Sequence, residues 1–117
     1  MQKETNTFIR TYLNPYSKTN LNAIKHDSNT TKEHRQLVNQ ICDWATEHKL
    51  DYLTRAVLKE GKIVDVVIPS LVKPFIEVRD SEEKKDKEYL DKYKDKIQFV
   101  NVSDPLRLLW VNQKAYI

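Results

Sequence analysis

Apolar side chains recur at helical spacing in one segment of the chain, between position 30 and about position 48. The stripe comprises Leu37, Val38, Ile41, Cys42, Trp44 and Ala45. This spacing is typical of one face of an amphipathic helix. Thr30 is expected to cap the helix, and Glu33, at the third helical position, would complete a capping box. Extending the stripe back by one turn takes in Glu33 and His34, so we expect both to begin the buried face.

Four short runs rich in Val, Ile and aromatic residues predict β-strands. The runs cover residues 52–59, 62–68, 75–79 and 97–102. Glu60-Gly61 separates the first two runs and is typical of a hairpin turn. Runs of this length and composition are typical of strands that are buried within a sheet.

The remaining segments complete an α/β pattern. A helix is expected over residues 81–94, a short helix over 106–111 and an edge strand over 113–117. Residues 1–28 are polar and weakly periodic, which indicates an arm or loosely packed cap with a short strand or helix near 7–13. A chain of 117 residues has room for one domain, so we expect this N-terminal segment to precede an α/β core over 29–117.

Two acids interrupt the apolar strands, Asp65 in the second run and Glu77 in the third. A carboxylate in a buried strand is costly unless it is paired or binds a metal. Because side chains alternate along a strand, we expect Asp65 to share a face with Val67, and Glu77 to share one with Arg79. If the two strands are neighbours, both carboxylates can converge on one point.

Converging carboxylates suit a hard divalent cation. Together with water and a phosphate oxygen, they are the ligands that Mg²⁺ or Mn²⁺ prefers, and such a metal activates a water for attack on a phosphodiester. A neighbouring cation, Arg79 or Lys73, could stabilise the developing charge. Glu33 is a candidate third ligand, directly or through water, if the first helix packs across this face.

The arrangement resembles the PD-(D/E)XK nuclease superfamily, which includes restriction endonucleases and archaeal Holliday-junction resolvases. Glu33 resembles the acid of the family's first helix, Asp65 resembles its Asp, and Glu77-Val78-Arg79 resembles its Glu-x-Lys. The resemblance covers about residues 30–102. It implies an α/β single domain with a central mixed β-sheet flanked by helices, a restriction-endonuclease-like core, and Mg²⁺- or Mn²⁺-dependent hydrolysis of DNA.

Further expectations concern the substrate and the assembly. Basic and polar residues beside the acids are candidates for nucleic-acid contact: Lys32, His34, Arg35, Lys84 and Lys85. Because a chain of this length offers little surface to grip a duplex, we expect a homodimer, with contacts from the end at 106–117 or from Trp110. The net charge of +3 permits nucleic-acid binding without requiring it.

Two departures from the family pattern keep a second function open. Arg79 stands where the family has lysine, and arginine is always charged and cannot act as a base. Val64 precedes Asp65 where the family often has proline. A catalytically inactive module of the same fold, binding nucleic acid or protein, is therefore the alternative hypothesis. A small α/β interaction protein with no nucleic-acid role is a third.

Each candidate also has a purely structural interpretation. Asp65 and Glu77 could pair with Arg55 or Arg79 across the sheet, Glu33 could serve only as a cap, and His34 could be a half-buried structural histidine. With Gly61 as its one glycine, the chain has no phosphate-binding glycine-rich loop, and its histidines and Cys42 lack zinc-site spacing.

Cysteine usage and hydropathy indicate the compartment. The single cysteine, Cys42, cannot form an internal disulfide, and it is expected to be a small core residue rather than a catalytic thiol. The N-terminal residues lack the apolar region of a signal peptide, and no apolar run reaches the roughly 18 residues that span a bilayer. We therefore expect a cytoplasmic protein without a membrane partner. A viral, mobile-element or repair setting would fit the predicted nuclease.

Overall fold

The computed structural model describes residues 3–17, 20–79 and 93–103, and these form an α/β domain. Its elements are α1 (Lys3–Tyr12), α2 (Lys32–Glu47), β1 (Leu53–Val57), β2 (Ile63–Val67), β3 (Phe75–Arg79) and β4 (Ile97–Asn101). The helix expected over 81–94 lies almost wholly outside the described residues, and the short helix at 106–111 and the edge strand at 113–117 lie entirely outside them. Lys84, Lys85 and Trp110 lie outside them as well.

The four described strands form one mixed sheet in the order β1-β2-β3-β4. β1, β2 and β3 are antiparallel neighbours, whereas β3 and β4 run parallel. Gly61 has a φ of 93° and makes the tight turn between β1 and β2 at the position where a residue with a Cβ would be strained. The expected α/β class and the central mixed sheet are therefore confirmed.

α2 covers one face of the sheet with the apolar stripe seen in the sequence. The stripe packs against Val66, Ile76, Val78 and Val100 from three strands, and Trp44 is partly buried at its margin. The helix begins one residue later than expected. Thr31, not Thr30, is the N-cap, and its hydroxyl accepts a hydrogen bond from the His34 N–H at 3.1 Å. The expected capping box is therefore wrong, because Glu33 falls at the second helical position.

α1 covers the opposite face, so the N-terminal segment is a packed cap. The ring of Phe8 lies 5.4 Å from that of Phe75, and Tyr12 contacts the same ring edge-on. Thr5 is fully buried and donates a hydrogen bond to Asp51 Oδ2 at 2.9 Å. The sheet thus lies between two helices, with an apolar core on each side.

The alternation of side chains reverses within β1 and β2. In β2, Val64 and Val67 both contribute to the core beneath α1, whereas Val66 contributes to the core beneath α2. Strict alternation would place Val64 and Val66 together. The residue between them is Asp65, and the residue opposite it in β1 is Arg55, which has a φ of 49°. The two strands therefore change phase together at this pair.

Within the described residues, no helix is both long enough and apolar enough to cross a membrane.

Candidate functional site

Asp65 and Glu77 meet where β2 and β3 stop pairing. The ladder pairs Val66 with Ile76 and Val67 with Phe75, so the next opposed residues are the two acids. Here the side chains replace ladder carbonyls. The N–H of Asp65 donates to Glu77 Oε1 at 2.9 Å, and the N–H of Val78 donates to Asp65 Oδ2 at 2.8 Å.

This reciprocal exchange explains how two acids are accommodated in apolar strands. A carboxylate that accepts a backbone N–H makes a charge-assisted hydrogen bond, which offsets part of its desolvation cost. Both acids are half-buried, so they keep access to solvent. The strands thus place the two predicted acids opposite each other, and each carboxylate is bonded to the backbone of the other strand.

His34 contacts this pair from α2. It is buried, and its Nε2 lies 3.4 Å from Asp65 Oδ2. The same oxygen therefore faces both the Val78 N–H and the imidazole. The expectation that Asp65 shares a face with Val67 is wrong, because the phase change in β2 turns the Asp65 carboxylate towards α2.

Glu33 is not part of the cluster. It is exposed in the first turn of α2, while its neighbour His34 is buried. Successive residues on a helix point about 100° apart, so one position cannot replace the other. The expectation that both begin the buried face holds for His34 only.

The predicted metal site of three carboxylates is not formed among the described residues. Among the described residues, no three His, Cys, Asp or Glu side chains form a group that could hold a metal ion. The predicted set of Glu33, Asp65 and Glu77 is therefore not assembled there. A pair of carboxylates is nevertheless how proteins commonly hold Mg²⁺, which completes its coordination with water and substrate phosphate.

The two predicted cations, Arg79 and Lys73, have contacts of their own. The guanidinium carbon of Arg79 lies 3.8 Å from the ring centroid of Phe99, a cation–π contact on the α1 side of the sheet. Lys73 is half-buried in the loop before β3, and its carbonyl accepts a hydrogen bond from Gln98 Nε2 at 2.7 Å.

Arg55 is a further cation beside Asp65. From the sequence we expected it only as a structural partner of the acids. In the structure its Nη1 lies 3.4 Å from Asp27 Oδ2, and Asp65 faces His34. The hairpin register places Arg55 opposite Asp65. Counting residues outward from the turn at Gly61 predicts this pairing from the sequence. The approach of Asp27 cannot be predicted in this way, because it depends on how a long loop folds back onto β1.

The other described residues expected to bind nucleic acid lie in the first turn of α2. Lys32 is exposed at the start of α2. Arg35 is half-buried, and its Nη1 donates a hydrogen bond to the carbonyl of Thr30. His34 belongs with the acids rather than with an exposed basic surface.

Cys42 takes no part in the site. It is buried in the core beneath α2, and burial, with a smaller contribution from the nearby Asp43 charge, raises the pKa of its thiol to about 12. A nucleophilic cysteine needs a thiolate at working pH, so this thiol is a core residue, as expected.

Fold and site together define a small α/β domain in which two acids lie opposite each other where two central strands diverge, and a histidine contacts one of them. Comparison of the chain with protein-family models, with curated proteins and with solved structures finds no match. The geometry of the site is therefore what points to a function.

Proposed function

We propose that the protein is a metal-dependent nuclease of the PD-(D/E)XK type that hydrolyses phosphodiester bonds in DNA. The observation that carries the proposal is the position of Asp65 opposite Glu77 at the divergence of β2 and β3, where each carboxylate accepts a backbone N–H from the other strand. The chain order of α2, a three-stranded antiparallel meander and a parallel fourth strand agrees with the core that the sequence resemblance implies.

Asp65 and Glu77 are the residues that would hold Mg²⁺ or Mn²⁺. The bound cation would polarise a phosphodiester and lower the pKa of an attacking water. Among the described residues, none bonds to Asp65 Oδ1, which supports this assignment because one oxygen of that carboxylate is left for a ligand. His34 and the Val78 N–H, by contrast, hold the orientation of the carboxylate through Oδ2.

A nearby cation would stabilise charge that develops on the phosphate. Arg79 and Lys73 remain the candidates nearest in sequence to the Glu77 strand. Arg79 can only stabilise charge, since it does not lose its proton.

Amide substitutions test the acid pair without removing its hydrogen-bond acceptors. Asp65→Asn and Glu77→Gln each keep an oxygen that can accept the backbone N–H of the opposite strand. We expect either change to lower cleavage of single-stranded, duplex and branched DNA in Mg²⁺ or Mn²⁺ by at least roughly a hundredfold, the scale of losing electrostatic stabilisation at a reacting phosphate. Calorimetry should show a parallel loss of Mn²⁺ binding.

Asp43→Asn is the matched control, because Asp43 is an exposed acid on α2 away from the pair. It should cleave and bind Mn²⁺ as wild type does. The nuclease proposal is wrong if wild-type protein cleaves none of these DNA forms, or if the variants at Asp65 and Glu77 cleave as fast as wild type.

A catalytically inactive nucleic-acid-binding or protein-interaction module is the second candidate. The observation that favours it is the contact of Arg79 with Phe99, since the family lysine is absent and its replacement packs against a ring. This candidate predicts salt-dependent DNA binding with no Mn²⁺ binding that depends on Asp65 and Glu77. Absence of any DNA binding would favour an interaction protein instead.

We also propose that the nuclease acts as a homodimer inside the cell. A dimer doubles the surface available to a duplex, which a domain of this size needs because specific protein–DNA interfaces bury about 1,000 Å² or more. The single cysteine, a buried free thiol, is compatible with a reducing compartment.

A further inference from the structure

A narrow cleft opens beside the acid pair, between the loop that precedes α2, the first turn of α2 and the middle of β1. Its lining includes two basic side chains, two histidines and two acids: Lys25, Arg55, His26, His34, Asp27 and Asp65. The cleft as it stands has a volume of about 10 Å³, the space of about one water. A ligand larger than water would have to bind at the opening of the cleft, through a side chain that can move.

Arg55 is the side chain able to do so. Its side chain is 31% exposed, and its position in the hairpin puts it opposite Asp65. Its contact with Asp27 Oδ2 is long at 3.4 Å and joins two partly exposed groups, and such pairs contribute little to stability. An incoming anion therefore meets a weakly held guanidinium.

The backbone at Arg55 is left-handed in the middle of β1. Its φ is 49°, a conformation in which a residue with a Cβ is disfavoured. Glycine or asparagine would adopt this conformation more easily. Such strain at a non-glycine residue beside a polar cleft is a reason to look for a functional side chain.

We propose that Arg55 binds a backbone phosphate of the nucleic acid and that Asp27 holds its guanidinium until the phosphate arrives. A guanidinium presents two parallel N–H donors to a phosphate. A phosphate is therefore a better partner for Arg55 than the single Asp27 oxygen at 3.4 Å. Arg55 thereby positions the nucleic-acid backbone beside Asp65 and Glu77. The inference rests on the proposed function for its ligand, but binding needs no cleavage.

Two left-handed basic residues allow a matched experiment. Lys49 has a φ of 58°, is exposed and lies just beyond the end of α2, away from the cleft. Arg55→Gly and Lys49→Gly each remove one positive charge and relieve one left-handed residue. Both should melt at or above the wild-type temperature, since glycine has no Cβ penalty there.

The readout is the dissociation constant of a fluorescent 20-nucleotide DNA, single-stranded and duplex, at several salt concentrations in EDTA. Arg55→Gly should weaken binding at least roughly fivefold and reduce the slope of log K against log salt by about 0.7 for the single strand and about 0.9 for the duplex, the effect of one lost phosphate contact. Lys49→Gly should keep the wild-type slope. Arg55→Lys should also keep it, because it retains the charge.

Arg55→Asn guards against a glycine-specific defect, since asparagine tolerates left-handed backbone and also lacks the charge. It should bind as Arg55→Gly does. The proposal is overturned if either uncharged variant binds DNA with the wild-type affinity and slope, or if Lys49→Gly weakens binding as much as they do.

Asp27→Asn tests the hold on Arg55. The amide keeps an acceptor for the Asn29 N–H, which Asp27 Oδ1 accepts at 2.9 Å, while removing the charge that faces Arg55. It should bind DNA more tightly than Asp43→Asn, which removes one charge elsewhere. Equal affinities of these two variants would contradict a hold by Asp27.

The two proposals fail separately. Cleavage that depends on Asp65 but binding that ignores Arg55 would leave the nuclease and remove the phosphate site. Arg55-dependent binding by a protein that never cleaves would leave the phosphate site and remove the nuclease.

Discussion

Asp65 uses a single carboxylate oxygen for two contacts, one with the Val78 N–H and one with the His34 ring. This explains why the cost of an acid in an apolar strand is not a reliable sign of a metal site by itself. Hydrogen bonds from protein groups can offset the desolvation cost of the carboxylate, and its second oxygen is still left for a ligand. The same reasoning separates His34 from Glu33: the imidazole reaches the acid, while the carboxylate one residue earlier lies in solvent.

Cys42 gives a prediction at the residue scale. The folded protein favours the neutral thiol, because burial raises its pKa from the ordinary value of 9.0 to about 12. At pH 8 the native thiol should react with a disulfide reagent at least roughly a hundredfold more slowly than in denaturant, since only the thiolate attacks. Rapid reaction of the native protein would contradict this burial.

The same shift has a sign for stability. Below about pH 9 the thiol is neutral in both folded and unfolded chains, so it does not affect the free energy of unfolding. As pH rises from about 9 to about 12, the unfolded chain loses the proton first, and stability falls by up to about 1.4 kcal/mol per pH unit. Cys42→Ala should remove this part of the alkaline slope in chemical denaturation.

At the scale of elements, the apolar pattern predicted the strands closely because each is short, buried and bounded by turn residues. β3 matches its predicted range, and α2 and the other strands differ by one or two residues at their ends. α1 was not resolved from a strand because its sequence is mostly polar. Its helix is fixed by packing of Phe8 and Tyr12 on Phe75, which is tertiary information.

The site was predictable only as far as strand pairing is. Neighbouring strands place Asp65 opposite Glu77, so this placement followed from the sequence. The phase change at Arg55 and Asp65 did not, because pattern reading assumes strict alternation. His34 and Asp27 reach the site from other elements, and no local pattern encodes that approach.

The cap of α2 gives a prediction at the scale of elements. Two adjacent threonines were competent caps, and the structure selects Thr31 through its bond to the His34 N–H. Thr31→Ala should lower the free energy of unfolding in urea by about 1 kcal/mol. Thr31→Ser, which keeps the hydroxyl, is the control and should lose much less. Equal losses would mean that the hydroxyl is not the cap.

At the scale of the whole molecule, the chain has a mass of 13.9 kDa. The predicted homodimer should sediment at twice this mass across micromolar concentrations in the absence of DNA. A monomer at all these concentrations would remove the dimer from the proposal while leaving the acid pair untouched.

The place where carboxylates substitute for ladder carbonyls has a consequence for amide exchange. The N–H groups of Asp65 and Val78 are held by side chains of the opposite strand, so a rotation about a few side-chain bonds releases them. Their neighbours in the ladder exchange with solvent only when the backbone itself separates. Deuterium uptake at these two amides therefore records how often the carboxylates of Asp65 and Glu77 release the backbone, and the measurement needs neither substrate nor cation.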